Sequence, residues 1–225
     1  MGHVMTGFDA DPGHGWRLVI FDFDGTLADS FTWLVATLNE IAPRWRFRRA
    51  EPDEQPMLRQ LHAGAILRHL GVPGWKVPLI AGDVRRRMTR DIDHIRLFDG
   101  VAPMLERLDG HGLRLAIASS NATVNVERVL GSRLCRVVAD RECGAALFGK
   151  AARLRRLLRR GGLSPGQAIY IGDEIRDIEA ARHVGLAAGA VGWGYNNLDA
   201  LRRHRPDLVF RRVTDIGDRL TGHAP

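Results

Sequence analysis

Polar side chains suited to acid–base and metal chemistry follow directly after three short apolar runs of this 225-residue chain. They are Asp22 and Asp24, then Ser119, Ser120 and Asn121, then Asp173, Glu174 and Asp177. So many carboxylates in one place would repel each other strongly unless a cation lay among them. Carboxylate oxygens with no histidine or cysteine beside them favour magnesium over zinc, and magnesium commonly shares phosphate oxygens. We therefore expect Mg²⁺ and a substrate that carries a phosphate group. Hydroxyl groups, backbone N–H groups and a lysine would bind that phosphate.

The elements that must position these residues are buried strands that alternate with amphipathic helices. Apolar runs of this kind, bounded by Gly, Asp and Asn, predict parallel strands. The predicted strands are Leu18–Phe21, Leu113–Ala118, Ala168–Ile171 and Leu186–Val191, and the predicted helices are Val101–Leu108, Lys150–Arg160 and Ile175–Val184. The alternation predicts an α/β fold, a parallel sheet with helices on both faces. Ligands of such sheets bind outside the carboxyl ends of the strands, so we expect the three polar groups to share one crevice.

A long helical segment interrupts the alternation. From Phe31 to about Leu97 the sequence has helical patterns broken by prolines and glycines, and no strand signal. The predicted helices are Phe31–Trp45, Met57–Leu70 and Val77–Ile95. The segment is too long for a simple crossover connection. We predict that residues 31–97 form a helical cap subdomain and that residues 1–30 and 98–225 form the α/β core.

The chain is strongly basic, with 33 lysines and arginines against 26 acidic residues and a net charge of +7. Only Lys76 and Lys150 are lysines. A nucleic-acid-binding module would need its arginines clustered on one face with aromatic residues between them. The arginines here are spread through four stretches of the chain, several beside predicted helix cores, which disfavours such a module. Composition bias is the simplest cause of the arginine excess. An ammonium kept at Lys150 against that background favours a specific role there, since a compact charge differs from a planar guanidinium.

Features of the sequence favour the cytoplasm over a membrane or a secreted location. No uncharged apolar stretch approaches the roughly 20 residues of a membrane span. The first 15 residues lack the basic, apolar and small-residue order of a secretory signal. Two cysteines, Cys135 and Cys143, are too few to stabilise a chain of this size by disulfides, which fits a reducing compartment.

Four short motifs, in order along the chain, resemble those of the haloacid dehalogenase superfamily. They are Asp22-Phe23-Asp24-Gly25-Thr26-Leu27 with Asp29-Ser30 after it, Ser119, Lys150, and Gly172-Asp173-Glu174-Ile175-Arg176-Asp177. One motif alone is a weak signal, but four in order at predicted strand ends are a strong one. The resemblance implies a Rossmann-like core, with the helical insertion after the first motif as a C1 cap. The overall pattern is similar to that of the phosphoglycolate phosphatases and their relatives.

The resemblance also implies a role for each motif residue. Asp22 would attack phosphorus and form an aspartyl-phosphate, and Asp24 would protonate the leaving alcohol and then activate the hydrolytic water. Ser119 and Lys150 would bind the transferring phosphoryl oxygens. The implied metal site consists of the carboxylates of Asp22 and Asp173, the backbone carbonyl of Asp24, and Asp177. Asp177 would either hold a metal-bound water or orient Lys150.

Further residues of the motifs are candidates for phosphate binding. They are Gly25, Thr26, Ser120 and Asn121. Gly25 would let the backbone turn sharply beside the phosphate. Asn121 would either bind the substrate or cap the next helix, and Glu174 would either lie near the metal or cap its own helix.

The motifs contact only the phosphoryl group, so they leave the substrate and part of the reaction open. A phosphatase acting on a small phosphorylated metabolite is the first interpretation, and a phosphoryl mutase shares every motif with it. Halide removal needs neither the metal nor an acid at position 24, so Asp24, Asp173 and Asp177 disfavour it. The cap would recognise the leaving group, with candidates Arg59, His62, His69, Trp75, Lys76 and Arg85.

Overall fold

The computed structural model describes residues 15–61, 63–144 and 149–222. The N-terminal stretch in which no secretory signal was predicted lies outside the described residues, except for Gly15. The cap candidate His62 also lies outside them. The strands are β1 (Leu18–Phe21), β2 (Ala28–Asp29), β3 (Arg96–Leu97), β4 (Arg114–Ala118), β5 (Asp140–Glu142), β6 (Ala168–Gly172), β7 (Ala187–Val191) and β8 (Leu208–Phe210). Six of them form one parallel sheet in the order β5-β4-β1-β6-β7-β8, and β2 pairs with β3 in an antiparallel ladder.

Helices flank the sheet and fill the insertion. They are α1 (Phe31–Trp45), α2 (Gln55–Leu58), α3 (Ala63–His69), α4 (Val77–Asp91), α5 (Val101–Gly110), α6 (Thr123–Val137), α7 (Lys150–Gly161), α8 (Ile175–Val184), α9 (Leu198–Arg203) and α10 (Val213–Leu220). The predicted fold class is therefore confirmed: a Rossmann-like parallel sheet with helices on both faces and an inserted helical region. No helix among the described residues is long and apolar enough to span a membrane.

The central strands are apolar on both faces because helices cover both sides of the sheet. In β1, Val19 and Phe21 belong to one buried cluster, whereas Leu18 and Ile20 belong to another. This division follows from the alternation of side chains along a strand. The two clusters hold β1 between β4 and β6, in register from Leu18 onward. The sheet therefore fixes the ends of β1 and β6 next to each other, which is where the acidic motifs begin.

The helical insertion has an apolar cluster of its own. It includes Phe31, Leu38, Ile41, Leu58 and Ile80 among others. Tyr195, from the part of the chain after the insertion, is buried in the same cluster. The predicted boundaries of the cap at residues 31 and 97 stay a prediction. The short β2–β3 ladder pairs Ala28 with Leu97, so the two ends of the insertion leave the core side by side.

Some predicted elements are wrong in detail. The predicted helix Met57–Leu70 is two short helices, α2 and α3, and residues 59–61 between them are not helical. The helix predicted over Val77–Ile95 ends at Asp91 and continues as a 3-10 turn. The segment expected to have no strand contains Arg96–Leu97, which is too short to carry an alternating pattern.

Candidate active site

Three acidic side chains come together where β1 and β6 end. Carboxylate oxygens of Asp22, Asp173 and Asp177 lie within 4.8 Å of one another, and all three residues are buried. Asp22 directly follows β1, and Asp173 directly follows β6, while Asp177 lies in the first turn of α8. The parallel pairing of β1 with β6 brings the two strand ends together, so the predicted convergence of these motifs is a property of the sheet.

Lys150 supplies a cation to this cluster from the first residue of α7. Its ammonium donates to Asp22 Oδ2 at 2.7 Å and also to Asp177 Oδ1. Burial alone would lower the pKa of Lys150, but the carboxylates of Asp177 and Asp22 outweigh it and hold the pKa above its usual value. Lys150 is therefore a fixed positive charge that touches two of the three acids.

Lys150 alone does not balance the negative charge of the buried acids. Burial raises the pKa of Asp22, and the negative charge of Asp177 raises it further against the opposing effect of Lys150. Burial raises the pKa of Asp173 well above its usual value, with further increases from Glu174 and Asp177. Buried carboxylates with raised pKa values gain from a nearby divalent cation. An all-oxygen donor set fits Mg²⁺, and Asp22, Asp173 and Asp177 are the side chains that would hold it.

Asp173 is fixed in place by the loop that follows Asp22. The Thr26 hydroxyl donates to Asp173 Oδ1 at 2.7 Å, so this predicted phosphate-binding group contacts an acid in the structure. Gly25 has φ +80°, a left-handed conformation that favours glycine. A Cβ at Gly25 would overlap the Asp173 carboxylate and lie 2.6 Å from the Tyr195 ring. The glycine therefore lets the loop pass directly against the acid cluster.

Asp24 lies at the edge of the cluster and is only partly buried. The Asn121 amide donates to both of its carboxylate oxygens, at 3.3 and 3.1 Å. Burial, together with the charge of Asp22, raises the pKa of Asp24 to about 6, although hydrogen bonds from Asn121 and Ser30 lower it. An acid with this pKa exchanges protons readily near neutral pH, which suits general acid–base chemistry.

The remaining residues of the second motif lie beside Asn121. The buried Ser119 hydroxyl accepts a hydrogen bond from the Asn121 N–H at 3.0 Å, and Ser120 is half-buried next to it. The Asn121 side chain also accepts from the Ala122 N–H at 2.8 Å. Asn121 thus contacts Asp24 and also organises the turn that leads into α6.

Glu174 is the N-cap residue of α8, the helix whose first turn carries Asp177. Its backbone N–H donates to Asp177 Oδ2 at 3.0 Å, and its own buried carboxylate accepts from Arg176. The Tyr170 hydroxyl donates to Asp177 Oδ1 at 3.2 Å. Asp177 therefore caps α8 and binds Lys150 at the same time, so the start of the helix fixes the position of an acid of the cluster.

The sequence interpretation missed the loop after β7. The Tyr195 N–H donates to Asp173 Oδ2 at 2.7 Å, and the Asn196 side chain accepts from the Ile175 N–H at 3.1 Å. Asn196 also donates from its amide to the Leu61 carbonyl at 2.8 Å, which joins this loop to the insertion. The sequence offered one signal for this loop. It follows the predicted strand Leu186–Val191, whose carboxyl end lies at the same edge of the sheet as the ends of β1 and β6.

The cap candidates divide clearly in the structure. Arg59 donates to the Gly194 carbonyl and stacks on Phe31 with its guanidinium carbon 3.8 Å from the ring centroid. By contrast, Lys76 donates to a carbonyl within the insertion, and Trp75 is 71% exposed. Arg59 therefore contacts the loop beside Asp173, whereas Lys76 bonds within the insertion and Trp75 faces solvent.

A family model described as haloacid dehalogenase-like hydrolase matches residues 19–191, which include all four motifs. The chain belongs to this family. As a haloacid dehalogenase-like hydrolase it has the architecture and the motif order that the sequence predicted. Together with the phosphoglycolate phosphatase relative described next, this membership confirms the predicted enzyme class, a phosphoric monoester hydrolase.

Relatives of this hydrolase include a phosphoglycolate phosphatase from Synechococcus elongatus, 35% identical over 201 residues that cover 89% of this chain and 95% of the relative. A 5'-nucleotidase from Pseudomonas aeruginosa is 26% identical over 216 residues, which cover 91% of this chain and 96% of the relative. Among solved structures, CbbY from Rhodobacter sphaeroides in complex with phosphate superimposes with a TM-score of 0.69 at 20% identity. That match covers 90% of this chain and 96% of CbbY, and it supports the fold.

Proposed function

We propose that this hydrolase is a magnesium-dependent phosphatase that acts on a small phosphorylated metabolite through an aspartyl-phosphate at Asp22. The observation that carries the proposal is the contact of one cation, Lys150, with Asp22 and Asp177 inside a buried cluster of acids. Phosphoglycolate is the first candidate substrate, because a phosphoglycolate phosphatase is 35% identical over most of the chain. A nucleoside monophosphate is the comparison substrate, because a 5'-nucleotidase is also similar.

Asp22 is the proposed nucleophile. Attack of one of its oxygens on phosphorus, with departure of the alcohol, replaces one difficult displacement by two easier ones. The Lys150 ammonium already lies 2.7 Å from Asp22 Oδ2, so it is placed to neutralise negative charge on the phosphoryl oxygens. Ser119 is proposed to donate from its hydroxyl to the same group. Magnesium, when bound by Asp22, Asp173 and Asp177, supplies further positive charge to the transferring group.

Asp24 is the proposed general acid and base. In the first step its carboxylic acid gives a proton to the leaving oxygen, and in the second its carboxylate takes a proton from the water that hydrolyses the aspartyl-phosphate. Its pKa of about 6 supports both duties, because neither protonation state is costly near neutral pH. Gly25 is proposed to leave room for the phosphate, with Thr26, Ser120 and Asn121 as further contacts of the site.

The helical insertion, residues 31–97, is proposed to act as the cap that covers the crevice and recognises the leaving group. Arg59 supports this proposal, since its side chain reaches the Gly194 carbonyl from the insertion.

We propose that the enzyme is cytoplasmic, because Cys135 and Cys143 are both free thiols, as expected in a reducing compartment.

The proposal is tested by phosphate release from 2-phosphoglycolate, a nucleoside 5'-monophosphate and a hexose phosphate, with magnesium and with excess chelator. We expect the fastest release from 2-phosphoglycolate, and its loss in the chelator. Conversion of a hexose phosphate to its isomer without free phosphate would instead assign a mutase. Turnover that survives exhaustive chelation would contradict the magnesium dependence, and no release from any of the substrates would contradict the phosphatase.

A further inference from the structure

A line of hydrogen bonds runs from the proposed general acid, Asp24, to the helical insertion. The Asn121 amide nitrogen donates to the Asp24 carboxylate, and the Asn121 amide oxygen accepts from Asn125 Nδ2 at 2.9 Å. The same Asn125 nitrogen donates to the Thr89 hydroxyl oxygen at 3.1 Å. The Thr89 hydroxyl in turn donates to the Arg85 carbonyl at 3.3 Å. Thr89 and Arg85 lie on α4, so the line begins at the acid and ends in the insertion.

Each member of this line has its donor and acceptor roles fixed by the next one. The hydroxyl of Thr89 uses its proton on a carbonyl, so its oxygen accepts from Asn125. Both amide protons of Asn125 are then used, one on Thr89 and one on Asn121. Because the Asn121 oxygen also accepts from the Ala122 N–H, its NH₂ group must face Asp24. A flipped amide at Asn121 would place an oxygen against the carboxylate, which is unfavourable.

Burial makes these roles costly to change. Asn125 is 2% exposed and Asn121 is 7% exposed, so neither amide can easily exchange its partner for water. A buried polar group that loses its partner costs more than an average hydrogen bond contributes. Thr89, by contrast, is exposed on α4. The line thus has a rigid end inside the core and an accessible end on the insertion.

From this arrangement we propose that Asn125 and Thr89 are positioning residues, which couple the placement of the insertion to the orientation of Asp24. The inference rests on the proposed function. When Thr89 of α4 lies within hydrogen-bonding distance of Asn125, as it does in the structure, it holds the Asn125 amide. Asn125 then holds the Asn121 amide, which orients the Asp24 carboxyl. When α4 moves away, Asn125 loses an acceptor and Asp24 loses the support that defines its direction. Proton delivery to the leaving group is then efficient only with the insertion in place.

A leaving-group comparison separates this role from a merely structural one. The alcohol of 2-phosphoglycolate needs a proton as it departs, whereas p-nitrophenolate departs without one. The variant Thr89→Val keeps the shape of the side chain but removes the hydroxyl, and Thr89→Ser keeps the hydroxyl. Since one net hydrogen bond is lost, we expect Thr89→Val to lower kcat/KM for 2-phosphoglycolate roughly fivefold more than for p-nitrophenyl phosphate. Thr89→Ser should leave the ratio of the two values near that of the unmodified enzyme.

The double variant adds a test of the line itself. Residues that act through one another give non-additive effects. Asn125→Ala should shift the ratio of the two kcat/KM values further in the same direction as Thr89→Val. Adding Thr89→Val to Asn125→Ala should then change the ratio no further. Equal losses on both substrates, or fully additive effects of the two substitutions, would overturn the proposal.

A structural measurement judges the proposal independently of turnover. Crystal structures of the unmodified enzyme and of Asn125→Leu give the orientation of the Asn121 amide and its distance to Asp24. We expect the amide to donate to Asp24 in the unmodified enzyme and to have rotated away in the variant. An unchanged Asn121–Asp24 hydrogen bond in Asn125→Leu would contradict the positioning role. Absence of turnover in the unmodified enzyme would instead contradict the proposed function, and the two structures would still decide the role of Asn125.

Discussion

The two ends of α7 carry the same kind of charge in opposite surroundings. At its first residue Lys150 is 11% exposed and contacts two buried acids. Toward its other end Arg156 and Arg160, 45% and 48% exposed, pair with Glu142. Water screens the second group of ion pairs and leaves the first almost unscreened, so the same attraction differs greatly in energy. Burial therefore separates Lys150, the cation that the proposed function places in the active site, from the exposed arginines at the other end of α7.

The largest expected effect comes from removing the buried cation. Lys150→Met leaves Asp22 and Asp177 without their shared ammonium, and loss of one such electrostatic contact lowers turnover by roughly 10²–10³-fold. Steady-state phosphate release from 2-phosphoglycolate measures it. Arg160→Met, the matched control on the same helix, should stay within about twofold of the unmodified enzyme. Equal losses in the two variants would remove the distinction between the two ends of α7.

Next in size is a steric change at the acid cluster. Gly25→Ala puts a methyl group against Asp173 and forces alanine into a left-handed conformation, so we expect a loss of about 3 kcal/mol in the free energy of unfolding. Urea denaturation measures the change. Gly166 is exposed, and a methyl group added there would meet no other atom within 4 Å, so Gly166→Ala is the control and should change stability little. Similar losses in both variants would mean that the approach of Gly25 to Asp173 carries no special cost.

A smaller effect concerns the pH dependence of the metal-free protein. The pKa of Asp24 lies near 6, above its ordinary value of 3.8, so its contribution to stability is full at low pH and is lost as pH rises through 6. Lowering the pH from 7.5 to 5 in excess chelator should therefore stabilise the protein. Asp24→Asn should reduce that gain by about 1 kcal/mol, measured by urea denaturation at both pH values. An identical gain in Asp24→Asn would show that the carboxyl does not titrate in this range.

The smallest effect is expected at the exposed end of α7. Replacing both Arg156 and Arg160 by glutamine removes their ion pairs with Asp140 and Glu142, at a cost of about 0.5 kcal/mol in the free energy of unfolding. Urea denaturation in low and high salt measures it, and high salt should abolish even this difference. A loss of several kcal/mol would place these surface pairs on a level with the buried cluster.

The buried strands and the motifs at their ends could be predicted from the sequence alone. Leu18–Phe21 and Ile175–Val184 have the predicted bounds in the structure. A continuous apolar run ending at Asp22 defines the first, and an amphipathic pattern ending at Gly185 defines the second. Strand β5, Asp140–Glu142, was not predicted, since it is an edge strand of three polar residues. The short helices in place of Met57–Leu70 also gave no local signal, because the packing of the insertion decides where they end.

The site was predictable as a set of residues but not as a set of contacts. The positions of Asp22, Asp24, Asp173 and Asp177 within a few residues after predicted strand ends indicated a shared crevice. The hydrogen bond from Tyr195 to Asp173 and the amide line through Asn125 depend on pairs of residues far apart in sequence. The contact of Arg176 with Glu174 could not be predicted, because nothing distinguishes Arg176 from the many other arginines of the chain. Lys150 could be singled out because the chain has only two lysines.

The nucleophilic role of Asp22 is the central claim, and trapping of the phosphorylated enzyme tests it most directly. The enzyme is mixed with 2-phosphoglycolate and magnesium, quenched in acid within the first turnover, and digested for peptide mass mapping. The account predicts an acid-stable, hydroxylamine-sensitive phosphoryl group on the peptide that contains Asp22, and none on that peptide in Asp22→Asn. Full turnover by Asp22→Asn, or a phosphoryl group on a different peptide, would contradict it.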